Sequence, residues 1–221
     1  MDLCGFPKDN FYYYQSWWSD RTVLHLFPHW NWEGHEGEEI DVRCFSNCDE
    51  VELFVNGRSH GRKTVVRNSH VAWIVRYEPG AIEAIGYRGK KRVATAKRET
   101  TGPAARLMLD TDRTSISADG ADVASITVSA VDSKGRLVPT ANDLVQFNIS
   151  GAGAIIGVGN GDPSSHESDK GNRRTLFNGL ACAIVQSSSK AGPMRIAARA
   201  AGLKSAMLTL QAKPAPVRPH V

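Results

Sequence analysis

The sequence predicts a mainly β protein, with two immunoglobulin-like β-sandwich domains behind a short segment of different character. Runs of alternating apolar and polar residues recur from residue 35 onward, and turn signals separate them at intervals of about 8–12 residues, which is typical of a sandwich. The aromatic residues are instead concentrated at the start, where ten of the seventeen precede Glu33. The two parts of the chain therefore have different packing requirements.

The leading segment, residues 1–34, carries more aromatic side chains than so short a stretch can bury by itself. Residues 9–18 predict a short helix, with Asp9 or Asn10 at its N-cap and apolar side chains at helical spacing. That apolar set is Phe11, Tyr14, Trp17 and Trp18. Residues 22–27 then alternate as in a strand, which Pro28 ends. We expect the segment to be the closing stretch of an α/β domain whose remainder this chain does not contain.

Residues 35–102 predict the first sandwich. Apolar and polar residues alternate at 40–44 and again at 51–55, and Asn56-Gly57 directly follows the second run. This pair is a strong signal for a two-residue hairpin, because both central residues of a type I′ turn need a positive φ. Further strands are expected at 71–77, 81–87 and 92–97.

Residues 103–213 predict the second sandwich, after a linker at 101–103. Only Phe147 and Phe177 remain as aromatic residues in this part. Seven strands fit an immunoglobulin-like module, and they are expected at 105–109, 113–117, 123–132, 144–150, 176–187, 194–200 and 206–211. The proline-rich residues 214–221 are expected to form a disordered tail.

The distribution of charge argues against a nucleic-acid partner. The formal net charge is +4, and residues 1–34, 35–102 and 103–221 carry −2, +2 and +4, whereas a nucleic-acid-binding domain concentrates its positive charge. The basic cluster at 88–92 surrounds Gly89 and is interpreted as a solvated hairpin loop, with a polyanion site as the alternative. No apolar run reaches the roughly 18 residues of a membrane span, so no membrane partner is expected.

The cysteines and histidines show no metal-binding pattern. Cys4, Cys44, Cys48 and Cys182 form neither a CxxC pair nor a zinc spacing. Phosphate-loop and nucleophile-elbow motifs do not occur. No cofactor and no metal are therefore expected, and the thiols do not decide the cellular compartment.

Three motifs, in the expected order, resemble glycoside hydrolase family 2 enzymes of the β-galactosidase type. Residues 5–9 (GFPKD), with the aromatic run 12–18 and with 25–32 (HLFPHWNW), resemble the last βα unit and the exit of that family's (β/α)₈ barrel. Residues 47–57 are similar to the sandwich that follows the barrel. Residues 159–163 and 177–181 are similar to the family's final invasin-like domain. The resemblance implies a C-terminal region that begins with a short remnant of the barrel.

The resemblance also implies that the catalytic residues lie outside this chain. Retaining glycosidases use two carboxylates about 5–5.5 Å apart, and in the family both are glutamates on earlier barrel strands. The glutamates present here fall in predicted loops or on polar strand faces, where a solvated surface position explains them. No catalytic residue is therefore expected in this chain. The parent enzyme would hydrolyse terminal β-galactosides, and the chain alone would be inactive.

The substrate-binding residues that the resemblance implies are Phe6, Lys8 and Asp9. They follow the last barrel strand, and the loops at that end of the strands form the catalytic face of such barrels. Lys8 would donate hydrogen bonds to sugar hydroxyls, and Asp9 would accept them. The alternative is structural, with Asp9 capping the helix and Lys8 merely exposed.

The tryptophans of the leading segment allow two interpretations. Trp17 and Trp18 could stack on a sugar ring, but packing against the missing barrel suits their helical spacing better. Trp30 and Trp32 could line a groove, but an interdomain contact suits their alternation better.

The glycine-rich stretch 159–174 is expected to be a long loop with a function, because loops beyond about 12–15 residues often have one. A binding or interdomain role is favoured. Calcium binding is the alternative, since Asp162, Glu167 and Asp169 supply hard oxygen ligands without the spacing of an EF-hand.

The expected function is that of the accessory C-terminal part of a family 2 glycosidase, which docks on the barrel and shapes one rim of its pocket. Its partners would be the missing barrel, the carbohydrate substrate of the parent and a second copy in a homo-oligomer. The compartment is open, although such parents are often periplasmic or secreted. The alternative is a stand-alone pair of immunoglobulin-like modules for carbohydrate binding or adhesion, which would bury the leading aromatic residues in their own core.

Overall fold

The computed structural model describes residues 1–216, which form one helix and sixteen strands. The chain divides into two compact units: the first comprises Met1 and Phe6–Thr101, and the second comprises Asp2–Gly5 and the chain from Gly102 onward. The mainly β fold expected from the sequence is confirmed. Of the expected tail, residues 217–221 lie outside the described residues, and the last strand extends to Pro214.

The first unit contains the helix and two antiparallel sheets. The elements are α1 (Asp9–Trp18), β1 (Leu24–Phe27), β2 (Glu39–Ser46), β3 (Glu50–Val55), β4 (Arg58–Thr64), β5 (Val71–Arg76), β6 (Ala81–Arg88) and β7 (Lys91–Glu99). One sheet has the order β1-β2-β5 and the other β4-β3-β6-β7. The Asn56-Gly57 hairpin predicted from the sequence joins β3 to β4, and both residues have a positive φ, of 48° and 80°.

The core of the first unit includes two side chains of the leading segment, Leu26 and Trp30. Leu26 is fully buried, and Trp30 is 1% exposed with its indole Nε1 donating to the Glu78 carbonyl over 3.0 Å. Trp32 packs at the margin of the same core. The expectation of an interdomain contact is therefore wrong for Trp30, and it stays a prediction for the partly buried Trp32. The physical reason is that β1 pairs with β2, which directs the chain after Phe27 into the space between the unit's own sheets.

The second unit is a sandwich of nine strands in its described part. They are β8 (Arg106–Thr111), β9 (Ser115–Ala118), β10 (Val123–Val131), β11 (Leu144–Gly151), β12 (Gly153–Gly159), β13 (Arg173–Thr175), β14 (Leu180–Ser187), β15 (Gly192–Arg199) and β16 (Ala206–Pro214). One sheet has the order β12-β14-β10-β8 and the other β13-β11-β15-β16-β9. Among the described strands, only β16 and β9 pair in parallel.

Two strands of the second unit differ from the expectation. The predicted strand 176–187 is divided, because Asn178 and Gly179 both adopt a positive φ and turn the chain before β14. β12 was not predicted at all, since its glycines mask any alternation of apolar and polar side chains. The sequence therefore indicated the sandwich correctly and missed two of its edge strands, β12 and β13.

A partly buried ion pair lies close to Gly102, where the main stretch of the second unit begins. Asp132 is 1% exposed and accepts hydrogen bonds from the guanidinium of Arg136, at 2.9 Å from Nε and 2.6 Å from Nη2, and from the amide of Gly102 at 3.2 Å. Burial opposes ionisation of this carboxyl, but the hydrogen bonds from Arg136 and Gly102 outweigh it and hold the pKa of Asp132 well below its usual range. The Asp132 carboxylate thereby joins Gly102 to the turn that follows β10.

Candidate functional site

The three candidate substrate residues, Phe6, Lys8 and Asp9, lie at the N-terminal end of α1. Lys8 occupies the N-cap position with extended backbone (φ −87°, ψ 165°), and no side chain caps the helix. Asp9 is the first helical residue. The expectation that Asp9 or Asn10 caps the helix is therefore wrong, because the helix begins one residue earlier and the Asp9 carboxylate is directed to another partner.

That partner is His25 on β1. The Asp9 Oδ1 atom lies 2.7 Å from His25 Nε2, and an ionised carboxylate only accepts, so Nε2 is the donor. The side chain of His25 is 10% exposed and that of Asp9 is 55% exposed. The contact therefore fixes one oxygen of Asp9 while the side chain remains open to solvent.

The imidazole of His25 stacks with two aromatic rings. The ring of Tyr12 lies parallel to that of His25 at 3.9 Å between centroids, and the ring of Phe27 lies at 5.5 Å. Phe27 in turn contacts Phe45 at 4.8 Å. We call these four residues the aromatic row. Tyr12 belongs to α1, and the other three lie on the sheet face on which α1 packs, where His25 and Phe45 are register partners across β1 and β2. The helix start is thus anchored to an aromatic surface of its own unit.

Lys8 and Phe6 are the other two candidate residues at the start of α1. Lys8 is exposed, and its ammonium has no partner among the described residues, whereas Phe6 is half-buried. The arrangement places a cationic donor beside a fixed carboxylate acceptor. Such a pair can hydrogen-bond to hydroxyl groups, since it offers a donor and an acceptor on adjacent residues.

The outer side of α1 exposes aromatic side chains. Tyr14 is 50% exposed and Trp18 is 80% exposed, and their rings lie 4.9 Å apart. With Phe11 they line a shallow groove of about 440 Å³, and we call these three residues the exposed helix face. Trp17, which the sequence also assigned to the apolar side, is half-buried, and its Nε1 is buried without a hydrogen-bond partner in the described part of the chain.

The opposite side of α1 packs on its own unit. Tyr12 stacks on His25, Tyr13 contacts the ring of Phe45 at 5.3 Å, and Ser16 is buried. Tyr13 also donates a hydrogen bond to the carbonyl of Asn68 over 3.1 Å. The periodicity therefore indicated an apolar side correctly, but most of that side faces outward, and a different set of aromatic residues attaches the helix.

The long loop between β12 and β13 is organised around one buried arginine. Arg174 donates hydrogen bonds to the Asn160 side chain, the Glu167 carbonyl and the Asp169 carboxylate, at 3.0–3.1 Å. Glu167 also accepts from the amide of Thr175, and hydrogen bonds from Thr175 lower the pKa of Glu167.

The loop's carboxylates therefore have protein partners. Asp162 accepts from the amide and the hydroxyl of Ser164, while Glu167 and Asp169 hold the chain around Arg174. Within residues 1–216, no group of three or more His, Cys, Asp or Glu side chains is arranged to hold a metal ion. The contacts of the loop explain its acidic residues as internal hydrogen-bond acceptors.

His25 and Arg174 were not identified as functional candidates from the sequence. His25 occupies a strand whose other side is apolar, and its contact with Asp9 spans sixteen residues. A histidine between two apolar residues of a strand, with an acidic residue at a nearby helix start, was the available signal.

Two family profiles match the chain. Residues 107–209 match the family described as "Glycoside hydrolase family 2 C-terminal domain 5", and residues 37–94 match "Domain of unknown function (DUF4982)". In the described residues no helix is long and apolar enough to cross a membrane.

Longer proteins resemble the chain over nearly all of its length. "Beta-galactosidase BoGH2A" of Bacteroides ovatus is 45% identical over 96% of this chain and 25% of that protein. A "Beta-glucuronidase" of Formosa agariphila is 34% identical over 97% of this chain and 22% of that protein. The chain spans about a quarter of the length of these curated relatives.

A solved structure shows the same architecture. The crystal structure of a glycosyl hydrolase family 2 member from Bacteroides cellulosilyticus aligns with a TM-score of 0.91 and 34% identity, covering 96% of this chain and 31% of that chain. Together with the matching C-terminal profile, this agreement shows that the chain belongs to glycoside hydrolase family 2, as a C-terminal region of such an enzyme.

Proposed function

We propose that the chain is the non-catalytic C-terminal part of a family 2 β-galactosidase, which hydrolyses terminal β-galactosides with retention of configuration. The observation that carries the proposal is the 45% identity to a β-galactosidase over 96% of this chain, which corresponds to 25% of that enzyme. The relative named as a β-glucuronidase is less similar, at 34% identity. The galactoside is therefore the favoured substrate class.

The catalytic carboxylates belong, on this proposal, to the part of the parent that precedes residue 1. Two observations support a docking role. An exposed apolar helix side is typical of an interaction surface. The buried Trp17 Nε1 has no hydrogen-bond acceptor in the described residues, and a neighbouring surface would supply one. The occupant is the preceding barrel of the same polypeptide. On this proposal the chain leaves the barrel within residues 1–34, and from β1 onward it already belongs to the sheets of the first unit.

Phe6, Lys8 and Asp9 form one rim of the sugar pocket in the assembled parent. Lys8 donates to sugar hydroxyls, since its ammonium is exposed and has no partner among residues 1–216. Asp9 accepts from a hydroxyl with the carboxylate that His25 holds at 2.7 Å. Phe6 supplies apolar surface beside them. Anchoring by the aromatic row keeps this rim in one position, which favours productive binding.

The test compares the 221-residue chain with a longer protein that includes the coding sequence upstream of residue 1. Both are assayed with p-nitrophenyl β-galactoside and p-nitrophenyl β-glucuronide. We expect turnover by the longer protein alone, with at least about a tenfold preference for the galactoside. Turnover by the purified 221-residue chain would contradict the non-catalytic role. A preference for the glucuronide would contradict the assignment of the substrate.

The rim is tested by Lys8→Met in the longer protein. We expect KM for the galactoside to rise about tenfold, because a hydrogen bond from a charged donor to the substrate is lost. Lys190→Met is the matched control, since Lys190 is also an exposed lysine and lies in the second unit. An unchanged KM in the Lys8 variant would remove Lys8 from the site.

A further inference from the structure

The outer face of the five-stranded sheet in the second unit is basic. Strand alternation and burial direct Arg173 of β13, Arg195 and Arg199 of β15, and Lys213 of β16 outward, and all four are exposed. None of them forms an ion pair within residues 1–216. The outward strand positions of this sheet carry no Asp or Glu in the described residues, and Glu167 lies only at the edge, on the amide of Thr175. We call this surface the basic face.

The spacing of the arginines follows from the strand register. Arg173, Gln146 and Arg199 are consecutive neighbours across β13, β11 and β15, so the two arginines start about 10 Å apart. Arg195 precedes Arg199 by four residues on the same strand, which places it about 13 Å away. The three guanidinium groups therefore surround one patch of sheet, within reach of a single extended ligand.

Uncharged hydrogen-bonding groups lie beside the arginines. Ser150, Arg195 and Thr209 form one cross-strand row, and Asn148 lies in the next row beside Ala197. Their amide and hydroxyl groups both donate and accept. Polar groups of this kind match sugar hydroxyls, while each planar guanidinium matches a carboxylate or a sulfate through two parallel hydrogen bonds.

We propose that the basic face binds an anionic polysaccharide, through carboxylate or sulfate groups on a chain that lies across β11, β13 and β15. A single-stranded nucleic acid fits less well, because the outward positions on the described strands of this five-stranded sheet offer no aromatic ring for base stacking. The exposed apolar side chains at the margins, Leu144 and Met207, are aliphatic. This binding is separate from the hydrolytic role proposed above and does not depend on it.

The test measures binding of the 221-residue chain to three polymers with one backbone: dextran, carboxymethyl dextran and dextran sulfate. At low salt we expect binding to one or both charged dextrans and none to dextran. Comparison of the two charged polymers shows whether carboxylate or sulfate is preferred. Binding should weaken steeply with added salt, because counterions are released from the polymer.

The variant R173Q/R195Q/R199Q removes three charges from the basic face. We expect its dissociation constant for the preferred polymer to rise at least about tenfold at 50 mM salt. The matched control K90Q/K91Q/R92Q removes three charges from the β6–β7 hairpin of the first unit and should change the constant by less than about twofold. R173K/R195K/R199K keeps the charge, and its dissociation constant should fall between those of the face variant and the hairpin control. This variant separates the effect of lost charge from that of a disturbed fold.

Three results would overturn the proposal. The first is that the chain binds neither charged dextran. The second is that the hairpin control weakens binding as much as the face variant does. The third is that a 20-nucleotide DNA strand binds more tightly than either charged dextran. A failed hydrolysis assay leaves these outcomes untouched, so the two proposals fail independently.

Discussion

The Asp9 carboxylate lies 2.7 Å from the Nε2 atom of His25, and it joins the first residue of the helix to the first strand of the sheet beneath it. Tyr12, one turn along the helix, stacks on the same imidazole at 3.9 Å. The helix is therefore attached by a polar contact and a ring contact that share one side chain. This relationship decides how the candidate rim at Lys8 and Asp9 is held.

Asp9→Ala should destabilise the first unit by about 1 kcal/mol, because the hydrogen bond to His25 is lost while the half-exposed carboxylate itself was well solvated. Urea unfolding followed by tryptophan fluorescence measures the change. Asp20→Ala, at an exposed position just after the helix, is the control and should stay within about 0.5 kcal/mol of the wild type.

A double-mutant cycle with His25→Gln separates the contact from general helix effects. If Asp9→Ala costs the same in the His25→Gln background, the carboxylate acts without the imidazole and the attachment described here is wrong.

Trp18→Ser should leave the stability of the 221-residue chain within about 0.5 kcal/mol of the wild type, because the side chain is 80% exposed. The same change should reduce binding of the dye ANS and any self-association, since the exposed helix face loses its largest apolar side chain. Dye fluorescence and light scattering measure both effects.

Trp30→Ser is the contrasting variant, and it should cost at least about 3 kcal/mol because Trp30 is 1% exposed in the core. Equal costs for the two tryptophan variants would show that Trp18 is packed in solution and that the helix has no free side.

Asp132→Asn should lower the stability of the second unit near neutral pH, because the carboxylate that Arg136 and Gly102 contact loses its charge. Its folded pKa is depressed, so the contribution of the ionised form is present above the unfolded pKa of about 3.9 and is lost as pH falls through the folded value. The wild type should therefore lose stability below about pH 4 more steeply than the variant.

Urea midpoints measured between neutral pH and acid test this difference. Asp110→Asn is the control, because Asp110 lies on β8 of the same unit and its substitution should keep the pH profile of the wild type. Parallel profiles for Asp132→Asn and the wild type would show that the ion pair does not contribute.

The parts of the fold that local chemistry dictates were predictable, and the parts that depend on distant partners were not. Asn56-Gly57 fixes its own turn, so the hairpin followed from two residues. β12 depends on pairing with β14, more than twenty residues later, and its glycines hide the alternation of apolar and polar side chains.

At the candidate site, Lys8 and Asp9 were predicted from a motif. The contact between Asp9 and His25 was not predicted, because it requires the helix to pack on β1. The burial of Arg174 was not predictable either. Arginines are mostly exposed, as Arg173 is, and nothing in the sequence distinguishes these two neighbouring residues.

Arg174→Met should open the loop between β12 and β13 and destabilise the second unit by about 2–3 kcal/mol, because three acceptors lose a charged donor. The effect should be most visible as faster cleavage within residues 161–172 by a protease of broad specificity, since the loop then lacks its central anchor. Arg174→Lys should give an intermediate rate, because a lysine cannot reach the Asn160, Glu167 and Asp169 oxygens from one planar group. Arg173→Met, at the exposed neighbouring position, should cleave at the wild-type rate. Equal cleavage of the Arg174 and Arg173 variants would show that the loop is ordered by contacts other than this arginine.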